Sequence, residues 1–262
     1  MKKIFLWNKT NSKNNLEKGQ HFLVDKLVLK KEIENSSLSK KDKIIEIGAG
    51  EGMLTNELAK KAKKVLSFEI DIQYKKKLEL IKNKYKNLEI IYGDATKYSW
   101  EGYDKIVSNI PYYLGEKIIA KAVITDIPFI VFIIGENFKN LLIDNSTKSG
   151  IIANLFYDIK IIEKVKKSSF SPPPRVNSWL LKLTMKTGDK YNESIKFILK
   201  RKGKIKNAII SFFVNEGYTK NEAKTLLKEF HLNDKTLEKK VSNISGKMIL
   251  IIYDKIKLII KK

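Results

Sequence analysis

The chain is predicted to be an α/β protein: a doubly wound, mostly parallel sheet with helices on both faces, followed by a small helical domain. Three observations predict it. Short β-branched runs alternate with helical stretches through the first two thirds of the 262 residues. Those runs end in glycine or acid, at the edge where an open α/β sheet presents its ligand crevice. From Thr187 onward the strand pattern gives way to apolar residues at helical spacing.

In chain order, residues 1–18 are polar and basic and read as an N-terminal arm. Gly19-Gln-His-Phe-Leu23 breaks in with apolar side chains, and 24–34 reads as a helix. The β-branched run 43–47 is a buried strand. It leads into Gly48-Ala-Gly-Glu-Gly52 and a helix over 53–63 with Leu54, Leu58 and Ala62 on one face. A second strand, 65–70, carries Glu69 near its end; a helix over 71–85 follows, then a third strand, 88–92, ending at Gly93-Asp94. The fourth strand, 104–108, runs into Asn109-Ile-Pro-Tyr112 and a helix over 114–124, and the fifth is 128–134. After a helix near 150–157, strands 159–165 and 177–184 flank Ser168-Ser-Phe-Ser-Pro-Pro-Pro-Arg175 and suggest an antiparallel hairpin at the sheet edge. The domains expected are thus the arm (1–18), the α/β domain (19–186) and a helical domain (187–262). The apolar tail 248–260 reads as the last core helix of that domain, with docking on a membrane as the other reading.

Composition narrows the chemistry. Hydrophobic residues make up 43%, enough for a core. There are no cysteines, which excludes disulfides, thiolate nucleophiles and Cys-ligated zinc, and His21 and His231 are too few for a His-rich metal site. No metal is expected. Apolar runs such as 129–134 are far short of a membrane span, and the apolar start of the chain is cut short by Asn8-Lys-Thr10. A soluble, cytoplasmic protein is expected, with no membrane partner and as a monomer.

The net charge of +23 points to a polyanionic partner, nucleic acid above all. Part of the excess is compositional, since Lys, Ile and Asn are abundant throughout. From Lys186 onward 19 Lys and Arg face 8 Asp and Glu, a net +11. Two arginines stand among the 52 basic residues, Arg175 and Arg201. Each suggests a place where a planar, bidentate fork is needed.

Four strand ends carry candidate chemistry. Gly48, Gly50 and Gly52 let a ligand approach the backbone and the helix N-terminus, although the third glycine comes too early for the dinucleotide fingerprint. Glu69 can grip both hydroxyls of a ribose, and Asp94 can accept from an adenine amino group. Local roles compete with these readings: a cap pair with Asp71 for Glu69, and an Asx-type turn for Asp94. Asn109-Ile110-Pro111-Tyr112 suits a planar amine. The Asn109 side-chain carbonyl and the Ile110 backbone carbonyl accept its hydrogens, Pro111 stiffens the turn, and Tyr112 offers a face. Such an amine is a poor nucleophile because its lone pair is shared with the ring. Acceptors out of the ring plane pull the nitrogen toward tetrahedral geometry, so positioning and electrostatics suffice without a metal. Phe170, stiffened by Pro172-Pro-Pro174, supplies a second face, or else is an ordinary core residue before a strand.

These motifs resemble the rRNA adenine N6-methyltransferases, above all the small-subunit rRNA adenine dimethyltransferases. The resemblance covers nearly the whole chain. It rests on Gly19-Gln-His-Phe-Leu23, Glu46-Ile-Gly-Ala-Gly-Glu-Gly-Met-Leu-Thr55, Phe68-Glu-Ile-Asp71, Gly93-Asp-Ala95, Asn109-Ile-Pro-Tyr112, Phe170-Ser-Pro-Pro-Pro-Arg-Val-Asn-Ser178 and Arg201-Lys-Gly-Lys-Ile-Lys-Asn-Ala208. It implies a Rossmann-like fold that uses S-adenosylmethionine, contacted by His21, Leu23, Gly48, Glu69, Asp94 and Asn109, with Gly50 in the same loop. It implies that Tyr112 and Phe170 sandwich the target adenine. The substrate implied is a pair of adjacent adenines near the 3′ end of small-subunit rRNA, in the assembling small subunit, each methylated twice. Arg175, Arg201, Lys202, Lys204 and Lys206 are the residues expected on RNA. Two departures concern the target loop: Tyr113 stands where the family has Asn, and Ile134-Gly-Glu-Asn137 lacks its Gln-Lys-Glu. Two other readings stay open. One is the macrolide-resistance branch, acting on large-subunit rRNA; the other is a ribosome-assembly or nucleic-acid-binding protein without turnover.

Overall fold

The computed structural model describes residues 20–110 and 114–260. The arm 1–18, Gly19, Pro111, Tyr112 and Tyr113 lie outside the described residues.

In chain order the strands are β1 (Phe22–Leu23), β2 (Lys43–Ile47), β3 (Lys64–Glu69), β4 (Leu88–Tyr92), β5 (Lys105–Asn109), β6 (Phe129–Gly135), β7 (Tyr157–Val165), β8 (Phe170–Ser171) and β9 (Ser178–Met185). The helices are α1 (Lys26–Asn35), α2 (Met53–Lys61), α3 (Lys75–Lys82), α4 (Gly115–Ile124), α5 (Glu136–Ile143), α6 (Lys148–Phe156), α7 (Lys190–Leu199), α8 (Ile205–Asn215), α9 (Lys220–Lys228), α10 (Asp234–Leu237) and α11 (Gly246–Ile260). Among the described residues seven strands form one sheet in the order β4-β3-β2-β5-β6-β9-β7. The first five run parallel, and β9 returns antiparallel against β6. This is the doubly wound sheet that the sequence pattern predicts, with β9 and β7 side by side at its edge.

The central strands are buried on both faces, as parallel strands covered by helices must be. Ile44, Ile45, Ile106, Val107, Ile130 and Val131 are all fully inaccessible to solvent. Chain order reverses between β2 and β5, so the ligand crevice of such a sheet opens at their carboxyl ends. The pairing there is short. Ile44 faces Lys105 and Ile45 faces Ile106; beyond that point the Ser108 hydroxyl takes over, donating to the Ile47 carbonyl (2.6 Å) and accepting from the Ile47 amide (3.2 Å). A side chain thus replaces the backbone ladder where the strands part.

Several boundaries differ from the sequence expectation. Asn109 is the last residue of β5, in register with Ile133, and not the first residue of a turn. The stretch expected as a helix over 71–85 opens with a tight 3₁₀ turn at Ile72–Tyr74, because the Asp71 carboxylate caps the Gln73 amide (3.1 Å), and only then becomes α3. Helix α5 has no counterpart in the sequence reading. Neither has the clip formed by β1 and β8, in which Phe22 pairs Ser171 and Leu23 pairs Phe170. Two-residue strands carry too little alternation to be read.

The described residues fall into two compact units. The first holds those within 1–118, 127–140 and 159–184, and contains most of the sheet. The second holds those within 119–126, 141–158 and 185–262. It therefore takes in α6 as well as the helices after Met185, where a boundary drawn at 186 alone would leave α6 with the sheet. The reason is packing. Helix α11 lies against α6 and α7, with Ile249, Ile252 and Ile256 fully buried. At Gly246 a Cβ would come within 2.6 Å of the Ile151 side chain and 2.9 Å of Lys148 Cα, so only glycine admits so close an approach. The tail is thus a packed helix of the second unit. Among the described residues no helix is long and apolar enough to cross a membrane.

Candidate active site

A cavity of about 680 Å³ opens in the first unit at the carboxyl ends of β2 to β5. Its floor is the glycine turn after β2, where Gly48, Gly50 and Gly52 all have positive φ (82°, 54° and 84°). The Gly48 and Ala49 amides both donate to the Phe68 carbonyl, at 2.8 and 3.0 Å, which ties the turn to β3. At Gly50 the glycine is demanded by a neighbour as well as by φ. A Cβ there would stand 2.7 Å from Cε1 of Phe22, a ring that the sequence reading passed over in favour of His21 and Leu23.

Glu69, at the end of β3, is buried and held by two backbone amides: Gly50 N–H donates to Oε2 (2.7 Å) and Asp71 N–H to Oε1 (2.8 Å). Burial raises its pKa above the ordinary carboxylate value, while the two amide bonds pull it back. Asp94 follows β4 and caps a short turn through Oδ1, which accepts from the Thr96 amide (2.9 Å) and hydroxyl (2.7 Å). These bonds, the hydroxyl first, hold its pKa below the usual value. Both local roles weighed in the sequence are therefore real. They aim the carboxylates without saturating them, since a carboxylate oxygen accepts more than one hydrogen bond.

Asn109 also lines the cavity, and its side-chain Oδ1 is buried with no donor among the described residues. Such an orphan acceptor is uncommon and calls for a partner. Ile110 is buried, and its N–H donates to the Ile133 carbonyl (3.2 Å), which fixes the backbone from which its own carbonyl projects. Phe170 is buried and lines the same cavity with Leu23, its β1–β8 partner. His21 Nδ1 lies 2.9 Å from the Pro172 carbonyl, so the clip joins the start of the domain to the proline segment. Pro111 and Tyr112 lie outside the described residues. The structure thus brings together His21, Leu23, Gly48, Gly50, Glu69, Asp94, Asn109, Ile110 and Phe170. It adds residues the sequence reading missed, among them Phe22 and Glu46. A Glu on the buried face of a strand was the available signal for the latter.

The residues expected on RNA are placed less uniformly. Arg175 is exposed, and its backbone carbonyl accepts from Lys167 Nζ (2.5 Å). Arg201 lays its guanidinium over the Phe197 ring, 4.2 Å from the centroid, a stacking that lysine performs poorly. Lys202 is exposed. Lys204 (2.5 Å) and Lys206 both reach Glu238, whose pKa they lower to about 2. Among the described residues no cluster of His, Cys, Asp or Glu could hold a metal.

The fold is of the Rossmann-like class, with its cavity at the carboxyl ends of the parallel strands. Residues 11–246 match the family model described as ribosomal RNA adenine dimethylase, and the chain belongs to that family. Among its relatives is a "Probable ribosomal RNA small subunit methyltransferase A" of Methanococcus maripaludis. It is 35% identical over 258 residues, covering 91% of this chain and 97% of the relative. A protein of the same name from Pyrococcus abyssi is 35% identical over 190 residues, 70% of each chain. Among solved structures, a dimethyladenosine transferase from Plasmodium falciparum superposes with a TM-score of 0.59 at 24% identity, covering 88% of this chain and 95% of that one. The 23S rRNA methyltransferase ErmE superposes with the same TM-score at 20% identity, covering 90% and 99%. Both show the fold alone.

The buried acid Glu46 makes this site pH-sensitive. Burial raises its pKa from 4.5 to about 7, against the opposing bond from the Ser67 hydroxyl (2.5 Å). A carboxyl whose folded pKa is raised gives stability that is full below the unfolded value and lost as pH climbs through the folded one. Stability of the protein should therefore fall between about pH 4.5 and 7, with Glu46 contributing on the order of 3 kcal/mol. Glu32 and Glu69 are shifted the same way, so Glu46→Gln should flatten the fall without abolishing it. Thermal melts at a series of pH values check this; a wild-type midpoint that rises across the window contradicts it.

Proposed function

We propose that the chain transfers methyl groups from S-adenosylmethionine to the N6 amines of two adjacent adenines near the 3′ end of small-subunit rRNA, each methylated twice. The observation that carries the reading is Asn109 Oδ1, a buried acceptor without a donor, in the same cavity as Glu69 and Asp94. The curated relatives' name favours the small subunit over the macrolide-resistance branch.

The residues fit the cofactor. Hydroxyls and an exocyclic amine are donors, and Glu69 and Asp94 are acceptors already aimed by backbone hydrogen bonds. Glycines at 48 and 50 leave the backbone open beside them. Bound there, S-adenosylmethionine supplies an already activated methyl group. The chain's own task is then to present the amine. Asn109 Oδ1 and the Ile110 carbonyl accept its two hydrogens and draw the nitrogen toward tetrahedral geometry, freeing its lone pair. Phe170, with Tyr112, offers ring faces that offset the cost of taking the base from its stack, about 1–3 kcal/mol per base. The basic face of the second unit meets phosphates.

Glu69→Ala and Asp94→Ala should each weaken S-adenosylmethionine binding in calorimetry; unchanged affinity in both sinks the cofactor assignment.

After the first transfer one N–H remains, so the second must rely on a single acceptor and more on stacking. Asn109→Ala should lower the methylation rate far more than cofactor affinity, and Phe170→Ala should leave a larger share of monomethyladenine than the wild type. Mass spectrometry of digested rRNA after a timed reaction measures both; a fully active Asn109→Ala, or a wild-type ratio of mono- to dimethyladenine from Phe170→Ala, refutes this account.

For RNA, replacing Arg201, Lys202, Lys204 and Lys206 with Gln should reduce affinity and flatten its salt dependence, by about 0.7 in log–log slope for each single-strand phosphate no longer neutralised. Because Lys204 and Lys206 share Glu238, the effect should be smaller than four independent cations would give. If affinity and slope both stay put, the charge there is compositional.

A further inference from the structure

Helix α1 buries Val28, Leu29 and Ile33 and, among them, Glu32. Glu32 is wholly inaccessible to solvent, and neither of its carboxyl oxygens has a hydrogen-bond donor among the described residues. Nothing about packing asks for an acid here. The position lies on the apolar stripe of an amphipathic helix, and an aliphatic side chain would fill it without a desolvation penalty.

Strand alternation shows what Glu32 faces. Ile44 and Glu46 of β2 point to one side of the sheet, as do Val107 and Asn109 of β5. Ile44, Val107, Val131 and Ile133 share a core cluster with Val28, Leu29 and Ile33, so α1 covers that side. Glu32, Glu46 and Asn109 thus belong to one buried layer. Burial raises the Glu32 pKa well above the ordinary value and the nearby Glu46 raises it further, while the Asn109 side chain draws it down. The two side chains interact, yet no hydrogen bond satisfies either Glu32 oxygen, and the second orphan of the layer is Asn109 Oδ1 itself. Glu46 is committed elsewhere, to the Ser67 hydroxyl.

A carboxamide has two ends of nearly equal shape and opposite polarity. Turned one way, Asn109 offers an acceptor to an incoming amine; turned the other, it offers a second donor and repels it. We propose that Glu32 is a positioning residue for Asn109: when the target amine is bound, its carboxyl accepts from Asn109 Nδ2–H and so keeps Oδ1 turned toward that amine. The carboxyl can do this neutral or ionised, since either form retains an acceptor oxygen. The proposal rests on the reading of Asn109 as the amine's acceptor, and it assigns a use to a buried acid that otherwise has none.

The test compares Glu32→Leu and Glu32→Gln in the full chain, with Glu32→Met as a second apolar variant should the branched side chain pack badly. Thermal midpoint, calorimetric affinity for S-adenosylmethionine, and kcat and KM on small-subunit rRNA are measured for each. The apolar variants should melt close to wild type, because relief from burying a carboxyl offsets the acceptor lost to Asn109. They should bind the cofactor within about twofold of wild type, yet lose about 10- to 100-fold in kcat through misplacement of the amine. Glu32→Gln keeps an acceptor and should hold kcat within about threefold. In an Asn109→Ala background the apolar change should cost nothing more. An apolar variant with wild-type kcat overturns the proposal, and so does Glu32→Gln if it is as slow as the apolar variants. If instead Asn109→Ala alone is fully active, the reading of Asn109 has failed, and the role of Glu32 falls with it.

Discussion

The site depends on β2 and β5 ceasing to be a ladder. They pair at Ile44–Lys105 and Ile45–Ile106, and the Ser108 hydroxyl then spans to both backbone groups of Ile47. Continued pairing would carry the backbones forward side by side and leave no crevice. Unassisted parting would strand two buried polar groups of Ile47. A hydroxyl, donor and acceptor at once, satisfies both across a wider gap. Gly48 follows β2 and Asn109 ends β5 immediately beyond it, so the glycine turn and the Asn109 amide, both lining the cavity, are separated by a distance that one side chain sets.

The electrostatics of the molecule run in opposite senses inside and out. The chain carries +23 overall, whereas Glu46, Glu69 and Asp94 line the cavity and Glu32 lies in the layer behind it. Burial raises the pKa of Glu32, Glu46 and Glu69, that of Glu46 to about 7, which eases their mutual repulsion. Asp94, tied to Thr96, stays low and ionised. An acidic cavity inside a basic surface suits the proposed pair of substrates. A sulfonium is a cation drawn to carboxylates, and an RNA strand is an anion drawn to the lysines outside.

How much of this was legible in the sequence follows from what kind of signal each part emits. The sheet was legible because buried parallel strands such as Lys43–Ile47 and Phe129–Gly135 write themselves as β-branched runs. Glu69 and Asp94 were legible as cavity-lining carboxylates because the strand ends of an open α/β sheet face its crevice. Asn109 was legible as a residue but misplaced by one element, since a polar side chain before Ile-Pro looks like a turn and is in fact the last rung of β5. The β1–β8 clip was not legible: its two-residue strands are 147 positions apart, Leu23 against Phe170, with no local pattern to connect them. Phe22 was missed for the same reason, because its importance lies in what it touches, the bare Cα of Gly50. Glu32 was hidden by its setting, one of two acids in a ten-residue helix, the other of which, Glu34, is exposed.

That clip bears on how the two halves of the proposed reaction are coupled. Leu23 and Phe170 pair directly, the Val24 amide donates to the Ser169 carbonyl (2.9 Å), and Asp25 accepts from the Ser169 hydroxyl (2.9 Å) while capping α1. One end of the clip carries Phe22 onto the glycine turn; the other carries Phe170 into the cavity. Helix α1, which starts at the same Asp25, places Glu32 in the layer that holds Asn109. One segment from Phe22 to Glu32 therefore touches the glycine turn, pairs the strand that carries Phe170 and enters the layer that holds Asn109, so under the proposed reaction the places of cofactor and target share one stretch of backbone.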